Sequence, residues 1–141
     1  MTARTRRRPS TTTMLLRGLV RRCPLCGSGG CFVSWFTLEE RCPRCNLSLD
    51  RVEGHWIGAL GMNTIASGGA LLVVLVGGFA ATWPESPSIW LLVACVAVSV
   101  GVPLLFYGSS RTLWSAVDLA MRPLEPDDEV DPRWIPRPRT G

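Results

Sequence analysis

The chain has 141 residues, of which 47% are hydrophobic and 18% are charged, and its formal net charge is +4. This apolar fraction excludes a chain that is disordered throughout, and the length excludes a large multidomain enzyme. All 15 basic residues are arginine, and the six cysteines are too few and too clustered for a disulfide-dense secreted scaffold. Composition therefore indicates a small membrane protein with a metal or redox cysteine cluster.

The chain begins with a basic, threonine-rich segment. Residues 1–13 contain several arginines and no acidic residue, and we expect them to form a disordered basic extension. Anionic lipid attracts such a segment by about 1 kcal/mol per arginine near the surface. A tail without function explains the same composition equally well.

Residues 14–55 contain two CPxC motifs, which fifteen residues separate. This spacing is typical of zinc ribbons. Each CxxC turn directs two thiolates at one centre, and two such turns complete a tetrahedral shell with Zn–S distances of about 2.3 Å. We therefore predict a cytoplasmic zinc-ribbon domain with one structural Zn²⁺ bound by Cys23, Cys26, Cys42 and Cys45. A closed shell leaves no coordination position for catalysis, so no catalytic residue is predicted.

The segment between the two motifs favours short strands. Residues 31–38 are rich in aromatic and β-branched residues, residues 47–50 alternate in polarity, and a GSGG turn precedes the first strand. The predicted fold class is thus a small N-terminal β zinc ribbon followed by a membrane α-helical hairpin. About 10–16 kcal/mol from structural zinc would compensate for a ribbon too small to fold alone.

Other interpretations of the cysteines remain open at this point. Two CxxC dithiols could form a thiol oxidoreductase, although a thioredoxin-type centre needs a βαβ context. Disulfides fit poorly with a cytoplasmic location, and the ribbon spacing favours zinc over an iron–sulfur cluster. We expect Cys31 to be a strand residue, Cys95 to behave as a small hydrophobe and His55 to lie at the membrane interface.

Two uncharged stretches, separated by Glu85, predict a two-span transmembrane hairpin over residues 56–109. The spans are placed at about 60–81 and 89–107, each long enough for one crossing. A buried hairpin of a soluble protein is the alternative, but the rest of the chain is too small to cover it. Aromatic residues near the span ends support the membrane location: Trp56, Trp83, Trp90 and Tyr107. Within the first span, Asn63 and Ser67 share a small polar face that suits helix packing.

Arginine asymmetry predicts the orientation. Ten arginines precede the first span, none lies in the turn, and five follow the second span. The positive-inside rule then places both termini in the cytoplasm of a multi-pass inner-membrane protein. Neither span core contains a charged residue, so ion or proton transport by this chain alone is disfavoured.

Residues 110–122 continue the second span at helical period. Arg111, Ser115, Asp118 and Arg122 fall on one face, which predicts an amphipathic interfacial helix. Docking of this helix onto the ribbon or onto a partner is the sharper alternative. Residues 123–141 are proline-rich, with an acidic run and a basic end, and are expected to form a disordered tail.

Three stretches together resemble one family: MLLRGLVRRCPLCGSGG, CPRCNLSLDRVEGHW and FYGSSRTLWSAVDLAMRPLEP. They are similar to the bacterial membrane family known as domain of unknown function 983, in its actinobacterial form, over about residues 14–126. The resemblance implies a zinc-ribbon-like head on membrane helices. Some members in other bacterial groups are encoded among cytochrome oxidase assembly genes, which implies an accessory role for a respiratory complex. Cys31, Asn46 and the basic extension depart from the family pattern.

The leading functional hypothesis is a non-enzymatic adapter or assembly factor for a membrane complex, with membrane lipids and a membrane protein as partners. No small-molecule substrate is predicted. A membrane-tethered nucleic-acid-binding ribbon is one alternative, using Arg41, Arg44 and Arg51 with Trp35 and Phe36; the lipid explanation of the arginines disfavours it. A CxxC thiol oxidoreductase is the other.

Overall fold

The structure is a computed structural model that describes residues 7–51, 53–85 and 88–135. It contains three α-helices, α1 (Thr11–Leu19), α2 (His55–Thr82) and α3 (Ile89–Met121), and a short 3₁₀ helix, Pro132–Trp134. The predicted disorder of residues 1–6 and 136–141 lies outside the described residues.

Helices α2 and α3 form the hairpin, and both are long and apolar enough to cross a membrane. Their contact is close at both ends. A Cβ on Gly58 would lie 2.0 Å from the Trp114 ring, and one on Gly78 would lie 2.2 Å from the Leu91 side chain. Between these points, Nδ2 of Asn63 donates to the carbonyl of Pro103 at 3.2 Å. The amide thereby links the two helices within their apolar stretch.

Helix α3 is continuous for 33 residues and includes the segment predicted as a separate interfacial helix. Its polar face agrees with the alternative, docking onto the cysteine-containing head, and not with a purely interfacial position. Ser115 and Asp118 are buried, whereas Met121 is exposed. The hydroxyl of Ser115 donates to the carbonyl of Leu49 at 2.8 Å. The polar face therefore turns toward residues 23–51, here called the cysteine-rich segment. There the Ser115 hydroxyl satisfies a main-chain carbonyl.

Helix α1 begins inside the predicted basic extension, at Thr11. The side chain of Ser10 caps it by accepting from the amide of Thr13. Met14 and Gly18 are the buried residues of this helix, and α1 packs against the C-terminal half of α3 through them. The helix is short, so this packing supplies most of its stability.

The predicted ribbon strands are not formed in the part of the chain that the structure describes. Two isolated antiparallel bridges stand in their place, Phe32 with Leu38 and Arg41 with Ser48. Tight turns at the cysteine motifs hold the segment instead of a continuous ladder.

Residues 123–135, here called the C-terminal strap, run back across the cysteine-rich segment, whereas a disordered tail was expected. Leu124 and Val130 of the strap are buried. They belong to one core with α1, the cysteine-rich segment and the end of α3. We call this unit the head; its buried apolar residues include Met14, Leu25, Leu38, Leu47, Leu49, Ala116, Leu119, Leu124 and Val130.

Candidate metal centre

The two CPxC motifs fold into turns with the same hydrogen-bond pattern. In the first turn, the amide of Gly27 donates to the carbonyl of Cys23 at 2.9 Å, and in the second, the amide of Asn46 donates to that of Cys42 at the same distance. Gly27 and Asn46 both adopt left-handed backbone, with φ of 74° and 56°. Each motif thus ends in a residue type that tolerates this conformation.

The turns bring four sulfur atoms to one point. The Sγ atoms of Cys23, Cys26, Cys42 and Cys45 all lie within 4.8 Å of one another. Cys23 and Cys45 are 3.6 Å apart at sulfur, and Cys26 and Cys42 are 3.7 Å apart. Three of the four side chains are buried, and Cys26 is partly exposed.

These distances fit a metal ion bound by four thiolates. Ligands at about 2.3 Å from a tetrahedral zinc lie about 3.8 Å from one another, close to the two sulfur separations given above. A disulfide needs a sulfur separation of about 2.05 Å, so the cysteines are not paired covalently. Four mutually close sulfurs also differ from two independent dithiols, and the described residues contain no βαβ unit of the thioredoxin type. The cluster could therefore hold one metal ion.

Ser28 is a polar neighbour of the cluster that the sequence analysis treated only as part of a turn. Its Oγ lies 3.0 Å from the sulfur of Cys26 and 3.3 Å from that of Cys42. The hydroxyl can donate to only one of these sulfurs at a time, and either bond favours the thiolate. The interaction could not be anticipated from the GSGG pattern, because it depends on how the second turn folds over the first.

Hydrogen bonding inside the cluster favours the thiolate at two positions. A hydrogen bond from the Cys31 thiol lowers the pKa of Cys23 to about 7. Hydrogen bonds from Cys23 and Cys31 hold the pKa of Cys42 well below its ordinary value. Burial raises the pKa of Cys26, and hydrogen bonding with Cys23 raises that of Cys45. A bound cation would favour the thiolate at all four positions, because the thiolate is the metal-binding form.

Elements from both ends of the chain hold the two turns. From α1, the guanidinium of Arg17 donates to the carbonyl of Leu25 at 2.9 Å. From the strap, the amide of Asp131 donates to the carbonyl of Cys45 at 3.0 Å. In return, the side chain of Asn46 in the second turn donates to the strap carbonyl of Glu129 at 2.6 Å. The first turn is therefore anchored to α1 and the second to the strap.

The remaining sulfur and imidazole groups lie outside the four-sulfur group. Cys31 is fully buried beside it, and its thiol points to the carbonyl of Ser28 at 3.8 Å. Cys95 lies in α3, within the apolar stretch. His55 was expected at an interface, but it is 3% exposed, with Nε2 3.4 Å from the hydroxyl of Ser115. It joins the start of α2 to α3 and is not part of the cluster.

Two of the arginines considered for nucleic-acid binding are paired with acidic residues, and one of the aromatic residues considered with them packs on α3. Arg41 pairs with Glu129 at 2.6 Å, and Arg51 pairs with Asp128 at 3.0 Å. Phe36 packs beside Tyr107, with ring centroids 5.6 Å apart. Acidic side chains of the strap thus neutralise two of the three arginines.

Comparisons with protein-family models, with curated proteins and with solved structures found no match for this chain.

Proposed function

We propose that this chain is a two-span bacterial inner-membrane protein that carries a structural zinc site in a cytoplasmic head and acts as a non-enzymatic adapter or assembly factor for a membrane complex. The observation that carries the proposal is the junction between the cysteine cluster and α3. The same helix that supplies the second apolar stretch also supplies Ala116 and Leu119 to the core of the head. The head is therefore fixed to the hairpin and not suspended on a linker.

Zinc is the proposed metal because four mutually close thiolates suit it and the ribbon-type spacing of the motifs favours it over an iron–sulfur cluster. When bound, it would supply a cross-link between the two turns and no reactive position. Cys23, Cys26, Cys42 and Cys45 would hold it, α1 and the strap would hold the turns, and Ser28 would hydrogen-bond to the sulfur shell. A docking surface, rather than a reaction centre, is what such a site supports.

A fixed head suits recognition of a partner in the same membrane. Confinement raises the effective concentration toward membrane-bound targets, so that high intrinsic affinity is not needed. The resemblance to the family domain of unknown function 983 supports this proposal and suggests a respiratory-complex component as the partner. Neutralisation of Arg41 and Arg51 by the strap makes the nucleic-acid alternative weaker.

Topology can be tested with reporter fusions in the full chain. Fusions at the two ends should both report the cytoplasm, and a short tag within residues 85–88 should report the outside, because the arginines are confined to the two flanks. Opposite locations for the two ends would mean that only one helix crosses.

The adapter role is tested by quantitative co-purification from native membranes in mild detergent. Wild type should retain a specific membrane protein, Cys23→Ser should lose it because the head unfolds, and Cys95→Ser should keep it as the matched control. If wild type is recovered alone, or if Cys23→Ser keeps the same partner, an activity of the isolated chain has to be sought instead.

A further inference from the structure

The end of α1 reaches the level at which α3 leaves its apolar stretch. Helix α1 runs along α3, so that Gly18 meets Thr112, while the guanidinium of Arg21 donates to the carbonyl of Leu105 at 3.3 Å. Seven helical residues correspond to about 10 Å. Arg21 therefore reaches about 10 Å further toward the apolar stretch than Gly18.

A loop of the cysteine-rich segment reaches the same level. The ring of Phe36 contacts that of Tyr107, and Arg111 donates to the carbonyl of Phe36 at 3.4 Å. A hydrocarbon core takes about 20 helical residues. Counted from Ile89, where α3 begins, it ends near Gly108, so both the loop and the end of α1 lie at this inner boundary.

Large apolar side chains are exposed at this boundary. Val20 is 60% exposed, Val33 66%, Trp35 52% and Phe36 51%. Together with Leu19 they form what we call the boundary patch. Exposed apolar groups gathered in one place mark a contact surface and are unusual on a surface that faces only water.

The charge around the boundary patch has one sign. Residues 7–38 contain no Asp or Glu, whereas Arg17, Arg21 and Arg22 flank the patch. The guanidinium of Arg21 lies 4.1 Å from the centroid of the Trp35 ring. An apolar surface bordered by arginines complements a leaflet with acyl chains beneath anionic headgroups.

We propose that the boundary patch inserts into the inner leaflet of the bilayer, while Arg21 and Arg22 at its border bind anionic lipid headgroups. The head then sits on the lipid surface as well as on α3. This inference rests on the membrane location in the proposed function, but it requires neither the identity of the metal nor a protein partner. Lipid is the favoured occupant because the patch is continuous with the apolar surface of α3, where Leu105 is 68% exposed.

The test uses the full chain reconstituted into phosphatidylcholine vesicles that contain phosphatidylglycerol, with brominated or ordinary acyl chains. Differences between wild type and Trp35→Phe, Trp90→Phe or Trp134→Phe give the emission of each tryptophan. Bromine should quench most of the emission from Trp35 and from Trp90 at the start of α3. Trp134 should be quenched far less, because it packs against the buried core of the head. Without phosphatidylglycerol, quenching of Trp35 should fall and that of Trp90 should not.

The outcomes separate the two proposals. If Trp90 is quenched and Trp35 is not, the patch does not insert, although the membrane location stands. If neither is quenched, the membrane location fails as well. Shielding of Trp35 that appears only as the protein-to-lipid ratio rises would assign the patch to a second copy and overturn the lipid proposal. Equal quenching of Trp35 in neutral vesicles would overturn the headgroup contact.

Discussion

The hydroxyl of Thr112 donates a 2.6 Å hydrogen bond to the main-chain carbonyl of Gly18. Thr112 is fully buried, and the bond joins a residue of α3 to one that lies 94 positions earlier in the chain. At the same place a Cβ on Gly18 would lie 2.8 Å from the carbonyl oxygen of Thr112 and 2.9 Å from Cα of Leu113. Backbone therefore meets backbone where the head is attached to α3.

This contact predicts that Gly18→Ala destabilises the head. The atoms in the way belong to main chain and cannot rotate aside, so the added methyl should cost about 1–3 kcal/mol. Thermal unfolding of the detergent-solubilised protein, followed by tryptophan fluorescence, measures the change. Gly29→Ala is the matched control, since no heavy atom lies within 4 Å of its Cβ position. Similar losses in both variants would contradict the close approach.

The second prediction concerns the metal. Purified protein should contain one zinc per chain, and Ser at any of the four cluster cysteines should remove it, because an incomplete thiolate shell binds far more weakly. Cys31→Ser and Cys95→Ser should retain zinc, as these sulfurs lie outside the four-sulfur group. Elemental analysis of the purified variants measures the zinc content per chain. Stoichiometric iron, or full zinc content in Cys42→Ser, would refute the assignment.

The third prediction concerns the strap. The carboxylate of Asp128 accepts from Arg51 at 3.0 Å and from the amide of Glu125 at 2.8 Å. Asp128→Asn should weaken the packing of the strap on the cysteine-rich segment by about 1–3 kcal/mol, because hydrogen bonds to a charged group are lost. Faster tryptic cleavage after Arg133, which lies in the 3₁₀ helix of the strap, would report the opening.

Glu129→Gln serves as the control for this experiment. Its side chain is 74% exposed in the ion pair with Arg41, and such surface pairs contribute about 0–1 kcal/mol. If the two variants are cleaved at the same rate, the strap is not held by Asp128.

The fourth prediction concerns the hairpin. Asn63→Leu removes the hydrogen bond to Pro103 and should lower the stability of the helix pair by about 0.6 kcal/mol, with an upper value of about 1.7 kcal/mol. Titration with a denaturing detergent, followed by helicity, provides the measurement. Thr64→Val should have little effect, since the Thr64 hydroxyl bonds only to Leu60 of its own helix. A loss in Thr64→Val as large as that in Asn63→Leu would argue against the interhelical bond.

Structural features that depend on short stretches of sequence could be predicted. The lack of charge on both sides of Glu85 indicated the two long apolar helices, which the structure contains. The repeated CPxC pattern indicated that four cysteines converge, and they do. Gly27 and Asn46, which follow the two motifs, adopt left-handed backbone, and both residue types tolerate it. Each of these depends on a local property, either hydrophobic length or turn geometry.

Features that depend on distant contacts could not be predicted. Helix α1 has only nine residues, and its threonine-rich start is a weak helix former, so its existence depends on packing against Thr112 and Leu113 of α3. The strap looks like a disordered acidic tail until Arg41 and Arg51 are placed beside it. Helical periodicity left open whether the polar face of residues 110–122 lies at the interface or docks onto the ribbon, because the carbonyls that Ser115 and Thr112 satisfy belong to other segments.

The bond from the amide of Asp131 to the carbonyl of Cys45 has a consequence for the order of events during synthesis. A ribosome makes the cysteine turns before the strap, with both apolar helices in between. The residues of α3 on which α1 packs also emerge only after α2 and the apolar part of α3. The cysteine turns therefore lack their packing partners until the hairpin has been made, and the head closes only after that.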